Sequence, residues 1–92
     1  MNLLEIVESL SEIESELTIY AAKPWSASSD ALAAEEEEDG SSPKAARSRG
    51  LDYFLEVFIA QEILEDWLQA VSPNATARQQ CQRIIEYAEN DA

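Results

Sequence analysis

Histidine is absent from this 92-residue chain, cysteine occurs once, glycine twice, and basic residues only six times. Each scarcity removes a class of function. Without histidine no side chain titrates near neutrality in its ordinary state, so the usual general base and the Ser–His and Cys–His nucleophile pairs are missing. Zinc centres built from Cys and His ligands fail on the count alone. The lone Cys81 has no partner for an internal disulfide, which fits a reducing compartment. Two glycines are too few for a phosphate-cradling loop. No apolar run approaches the ~18 residues a membrane span requires. The opening MNLLEIVESL lacks the basic stretch and unbroken apolar core of a secretory signal, so a cytoplasmic setting is expected.

What is abundant is negative charge: 19 Asp and Glu against 6 Lys and Arg, a net −13. Such a surface repels nucleic acid and anionic membrane. It attracts basic partners over roughly a Debye length of 8–10 Å. The same charge is also an ordinary route to solubility. The length fits one domain, 1–92, which buries about 60–65% of its unfolded surface and so has a thin core.

Residues 3–17 place Leu3, Leu4, Ile6, Val7, Leu10, Ile13 and Leu17 on one half of a helical wheel. This spacing predicts an amphipathic N-terminal helix, with Asn2 as its cap and Glu5 in the capping-box position. The following LTIYAAKPW is β-branched and aromatic and ends in Pro24, which predicts a short strand over 17–22. Residues 31–35 are a candidate partner strand. The segment 35–50, EEEEDGSSPKAARSRG, has no apolar periodicity and reads as a long mobile loop, acidic then basic. Pro43 can open a brief helical turn there that Gly50 ends.

From 51 to 71 the chain runs without a breaker. Tyr53, Val57, Ala60, Leu64, Trp67, Leu68 and Val71 form one stripe, and Leu51, Phe54, Leu55 and Phe58 form a second. The first nine residues also fit a buried strand, but the continuous stripe favours one long central helix. Ser72-Pro73 predicts a restart, and a last helix over about 73–89 with Ala77, Cys81, Ile84, Ile85 and Ala88 on its apolar face. The fold class expected is mainly α with a small β-hairpin, an α+β domain.

Few residues look equipped for chemistry. Cys81, on an apolar helix face, reads as a buried and inert thiol. Glu62, Glu65 and Asp66 lie close together on the central helix, where paired carboxylates can act as acid and base, but a solvated face is the plainer reading. The contiguous acids Glu35–Asp39 lack the alternation of a calcium loop, so no metal or other cofactor is expected. Trp67 belongs to the core stripe. Trp25, after Lys23-Pro24, either covers one end of the core or serves as a contact anchor. The sharpest functional feature is the series Glu5, Glu8, Glu12 and Glu16, which on a continuous helix sets carboxylates about 5–6 Å apart in an acidic ridge.

The pieces TIYAAKPW and GLDYFLEVFIAQEILEDW, joined by an acidic loop, resemble a family of short uncharacterised bacterial proteins over about residues 17–68. The resemblance implies a bacterial, cytosolic origin. Small acidic proteins of that kind are similar in build to immunity proteins, antitoxins and phage-encoded nuclease inhibitors. Its motifs are apolar and structural, so it carries over no functional residue.

Two functions follow as expectations. The first is a non-enzymatic module that recognises a basic protein, such as a toxin, a nuclease or another nucleic-acid-binding protein, without touching nucleic acid or membrane itself. Glu5, Glu8, Glu12, Glu16, Glu62, Glu65 and Asp66 would steer the encounter, and Trp25 would anchor it. The second is a helical homodimer or assembly subunit that meets its copy through the Leu51–Phe58 stripe, with acidity serving only solubility.

Overall fold

The computed structural model describes residues 1–91. It is an α+β domain: a three-stranded antiparallel sheet carrying helices on one face and a single short helix on the other. The chain begins with α1, Leu3–Glu8, capped as its sequence predicts. The Asn2 side chain accepts from the Glu5 backbone N–H at 2.9 Å, and the Glu5 carboxylate accepts from the Asn2 N–H at 2.8 Å. Two more N–H groups of its first turn, at Leu3 and Leu4, donate to the carbonyls of Ser29 and Ala27.

The expected fifteen-residue helix over 3–17 is not continuous. It stops at Ser9, whose hydroxyl bonds back to the Glu5 carbonyl, and a 3₁₀ turn at Leu10–Glu12 follows. Beyond this ending, the carbonyls of Leu10 (which also accepts from Ile13 N–H) and Ile13 accept from the Gln61 side-chain amide at 2.9 and 3.3 Å. The early stop has a geometric reason. Leu17 must lie beside the sheet, where its carbonyl accepts from Val57 N–H, and a straight helix would carry it away.

Strand β1, Thr18–Ala21, is the centre of the sheet, with β2, Ala31–Ala34, on one side and β3, Asp52–Glu56, on the other. The first two strands lie where the sequence places them. The third corrects the long central helix: residues 52–56 are extended, and only Val57–Ala70 is helical, as α3. A strand here gives β1 its second hydrogen-bonded neighbour and suits the aromatic and apolar run at 53–55. A bulge shapes it. Ile19 pairs with Leu55 but Tyr20 pairs with Tyr53, leaving Phe54 as the extra residue. Adjacent Phe54 and Leu55 can therefore both join the same core, which strict alternation would forbid.

The segment before β3 contains the helical turn expected of it, α2, Lys44–Ser48. Gly50, at φ +69°, ends it: Gly50 N–H bonds to Arg47 O, and Leu51 N–H bonds to Ala46 O. This is the glycine-terminated helix end in which the residue after Gly packs on the last turn. Leu51 and Ala46 do pack together, under Tyr20. After α3 the restart comes later than Ser72-Pro73 suggests. The final helix α4, Ala77–Asp91, is opened by Thr76, whose hydroxyl accepts from Gln79 N–H while Gln79 Oε1 accepts from Thr76 N–H.

The main core joins Leu3, Ile6, Val7 and Leu10 to Ile19, Phe54, Leu55, Val57, Leu64 and the Cys81–Ala88 face of α4. Cys81 is fully buried, and burial pushes its thiol pKa up to about 11. Leu51, Phe54 and Leu55 are all interior, so the second stripe is covered by the chain itself except at Phe58, which is 45% exposed. Among the described residues no helix is long and apolar enough to cross a membrane.

Candidate partner-binding surface

The ridge expected along one N-terminal helix is broken by the turn at Ser9, and its four carboxylates go to different places. Glu5 is held in the α1 capping box. Glu8, the last residue of α1, stands at the rim of a cleft of about 560 Å³ between α1, the 3₁₀ turn, α3 and α4. Glu12 is exposed on the 3₁₀ turn. Glu16 lines a second cleft, of about 390 Å³, together with Thr18, Glu36, Glu56 and Phe58.

The three acids of the central helix also separate. Glu62 and Asp66 are exposed on α3, whereas Glu65 joins Glu8 at the first cleft. Sequence spacing could not foresee this pairing, because Glu8 and Glu65 lie on elements that only the fold brings together. Leu10, Leu64 and Leu68 line the cleft below them. Among the described residues no set of three or more acids and thiols is arranged to hold a metal ion.

Trp25 lies elsewhere and is heavily engaged. Its indole N–H donates to Ala21 O at 3.1 Å, and its ring meets Phe54 edge-to-face with centroids 4.8 Å apart. The Lys23 ammonium sits 5.0 Å from the ring centroid. Half-buried against the core, Trp25 closes one end of it while lining a shallow cleft with Lys23, Pro24 and Glu89. Trp67 packs on the main core as its stripe predicts.

Little of the acidity is neutralised internally. Among the described residues one ion pair forms, Arg49 with Asp30, a bidentate contact that holds the Asp30 carboxyl below its usual pKa. Arg47 is turned onto the Ser42 carbonyl. In the acidic loop, Asp39 accepts from the Ser41 N–H and hydroxyl, which lowers its pKa, and Glu36 accepts from the Thr18 hydroxyl at 3.2 Å. The segment 35–50 is thus joined to the sheet at Glu36 and contributes a buried residue, Ala46.

Behind that loop, Tyr20 is almost fully buried on the outer face of the sheet, and among the described residues no group lies at hydrogen-bonding distance from its hydroxyl. The nearby Thr18 hydroxyl donates to Glu36. Burial, and then the Glu36 and Glu37 charges, raise the phenol pKa above its usual 10.0, while the proximity of the Thr18 hydroxyl pulls it slightly down.

No protein-family model matches the chain, and neither a curated protein nor a solved structure shows significant similarity to it.

Proposed function

We propose that this chain is a non-enzymatic acidic binding module that recognises a basic protein, in the manner of an immunity protein, an antitoxin or a nuclease inhibitor. The observation that carries the reading is the meeting of Glu8 and Glu65 at an apolar-floored cleft with no basic side chain in its lining. A net charge of −13 with a single ion pair among the described residues leaves a field that would draw a cationic partner in from solution. The rival, a homodimer built on Leu51–Phe58, loses most of its contact stripe to the chain's own core.

Affinity capture from the source organism at low and high ionic strength tests the reading. A basic protein retained at low salt and released at high salt is the expected result. Partners that are neutral or acidic, held equally at both ionic strengths, would contradict it. Light scattering on the purified chain addresses the rival, for which a dimer persisting on dilution is required.

A further inference from the structure

The clefts of this molecule are not alike in charge. Those beside Trp67 and Trp25 carry both signs, Arg83 with Glu86 and Lys23 with Glu89. The acidic turn around Asp39 is lined in part by Arg47. The cleft at Glu16, Glu36 and Glu56 is also purely acidic, but its one large apolar side chain is Phe58. Among the described residues, the cleft between α1 and α3 is the one that combines several leucines with charge of a single sign. Leu64 and Leu68, one turn apart on α3, lie along it. Glu8 and Glu65 are exposed at its edge. The two amides of its lining are already engaged: Gln61 donates to Leu10 O and Ile13 O, and Gln80 donates to Ala75 O.

An apolar floor under two carboxylates suits a side chain that is aliphatic along its stem and cationic at its tip, as lysine and arginine are. We infer that this cleft is the docking site for a basic amphipathic segment of the partner protein. The aliphatic stems of the segment lie on Leu10, Leu64 and Leu68, and its cationic heads pair with Glu8 and Glu65. The inference rests on the reading of the chain as a binder of basic proteins, and adds where and by what chemistry it binds. Because α1 and α3 hold the site through the main core, it is formed before the partner arrives and little ordering opposes binding.

The test uses the full chain, isotope-labelled for amide NMR, and three probes. The first is a synthetic lysine–leucine peptide patterned as an amphipathic helix. The second is a scrambled peptide of the same composition, and the third is spermine, which has charge without side-chain stems. The patterned peptide is expected to shift amides at 7–11 and 61–68. The double variant Glu8→Lys/Glu65→Lys is expected to weaken it about tenfold or more, against at most about threefold for Glu37→Lys/Glu38→Lys, which changes the net charge equally. Leu68→Gln is expected to weaken the peptide and leave spermine unaffected. All these positions are exposed or half-buried, and circular dichroism verifies that each variant is folded.

Equal loss in both double variants, equal binding of the scrambled peptide, or shifts confined to the 35–39 loop would overturn the docking site. Any of these could occur while the captured partner still binds in a salt-dependent way, and the broader reading would then stand without this site. A chain that fails to bind any of the cationic probes at low salt would overturn both.

Discussion

On one face of the sheet, α1, α3 and α4 bury Ile19, Ala21, Phe54 and Leu55, while on the other a five-residue helix covers Tyr20 and Leu51. On the thick face the Gln61 amide is bonded to two carbonyls just beyond the N-terminal helix. The thin face holds a buried phenol hydroxyl with no partner at hydrogen-bonding distance among the described residues, and lies next to the acidic loop. The difference locates both stability and function. Most of the apolar burial is on the thick side, and the Glu8–Glu65 cleft is built among the same helices, where packing fixes side-chain positions.

The largest effect should come from the centre of the thick side. Phe54 is fully buried at the bulge of β3 and meets Trp25 edge-to-face. Phe54→Ala is expected to cost about 3–5 kcal/mol in denaturant unfolding, enough to unfold a marginal domain. On the thin side, Leu51→Ala should cost less, about 2 kcal/mol, because the small cluster around it can collapse into the space. A cost at Leu51 equal to that at Phe54 would erase the contrast between the faces.

Alkaline pH probes both faces at once. The unfolded Cys81 thiol ionises near 9.0, while the buried one keeps its proton to about 11. Between those values the unfolded chain releases a proton that the folded chain holds, so stability falls as pH rises through the window and is untouched below it. Tyr20 contributes with the same sign above 10.0. Cys81→Ala should flatten the thick-side part of the loss, measured as melting temperature against pH. An unchanged pH profile would show that the thiol does not titrate as its burial requires.

The smallest effect is expected at Tyr20. Removing an unpartnered buried hydroxyl relieves desolvation without breaking a bond, so Tyr20→Phe should be neutral or stabilising by up to about 1 kcal/mol. A clear destabilisation would reveal a hydrogen bond that the thin face does make.

Much of this architecture was legible in the sequence. The Asn2 cap, the strands at 18–21 and 31–34, the glycine-ended turn at 44–48 and the apolar face of α4 each follow from local rules. The failures share a cause. At Glu56 the chain passes from strand to helix with no proline, glycine or side-chain cap, so nothing local marks the boundary, and the Val57–Leu64 periodicity extends falsely backward to Tyr53. At Ser9 the helix ends because Leu17 must reach the sheet, where its carbonyl accepts from the distant Val57 N–H, and Gln61 braces the turn between them. The Thr76–Gln79 capping box was the exception, a readable signal eclipsed by the louder Ser72-Pro73.

The candidate site was less legible than the fold. Acidic character was plain from composition, but the continuous ridge depended on a helix that does not continue. Glu8 and Glu65 became a pair only through the packing of α1 and the 3₁₀ turn against α3. Trp25, read as either a core cover or a contact anchor, has its N–H bonded to Ala21 O and its ring against Phe54.

The central claim is that carboxylates at this cleft draw in and hold a basic protein. The most direct measurement is the association rate of the captured partner against ionic strength, for the native chain and for Glu8→Lys/Glu65→Lys. The expected result is a rate that falls steeply with salt in the native chain, and a double variant that is both slower and less salt-dependent. Identical rates and slopes for the two proteins would contradict it.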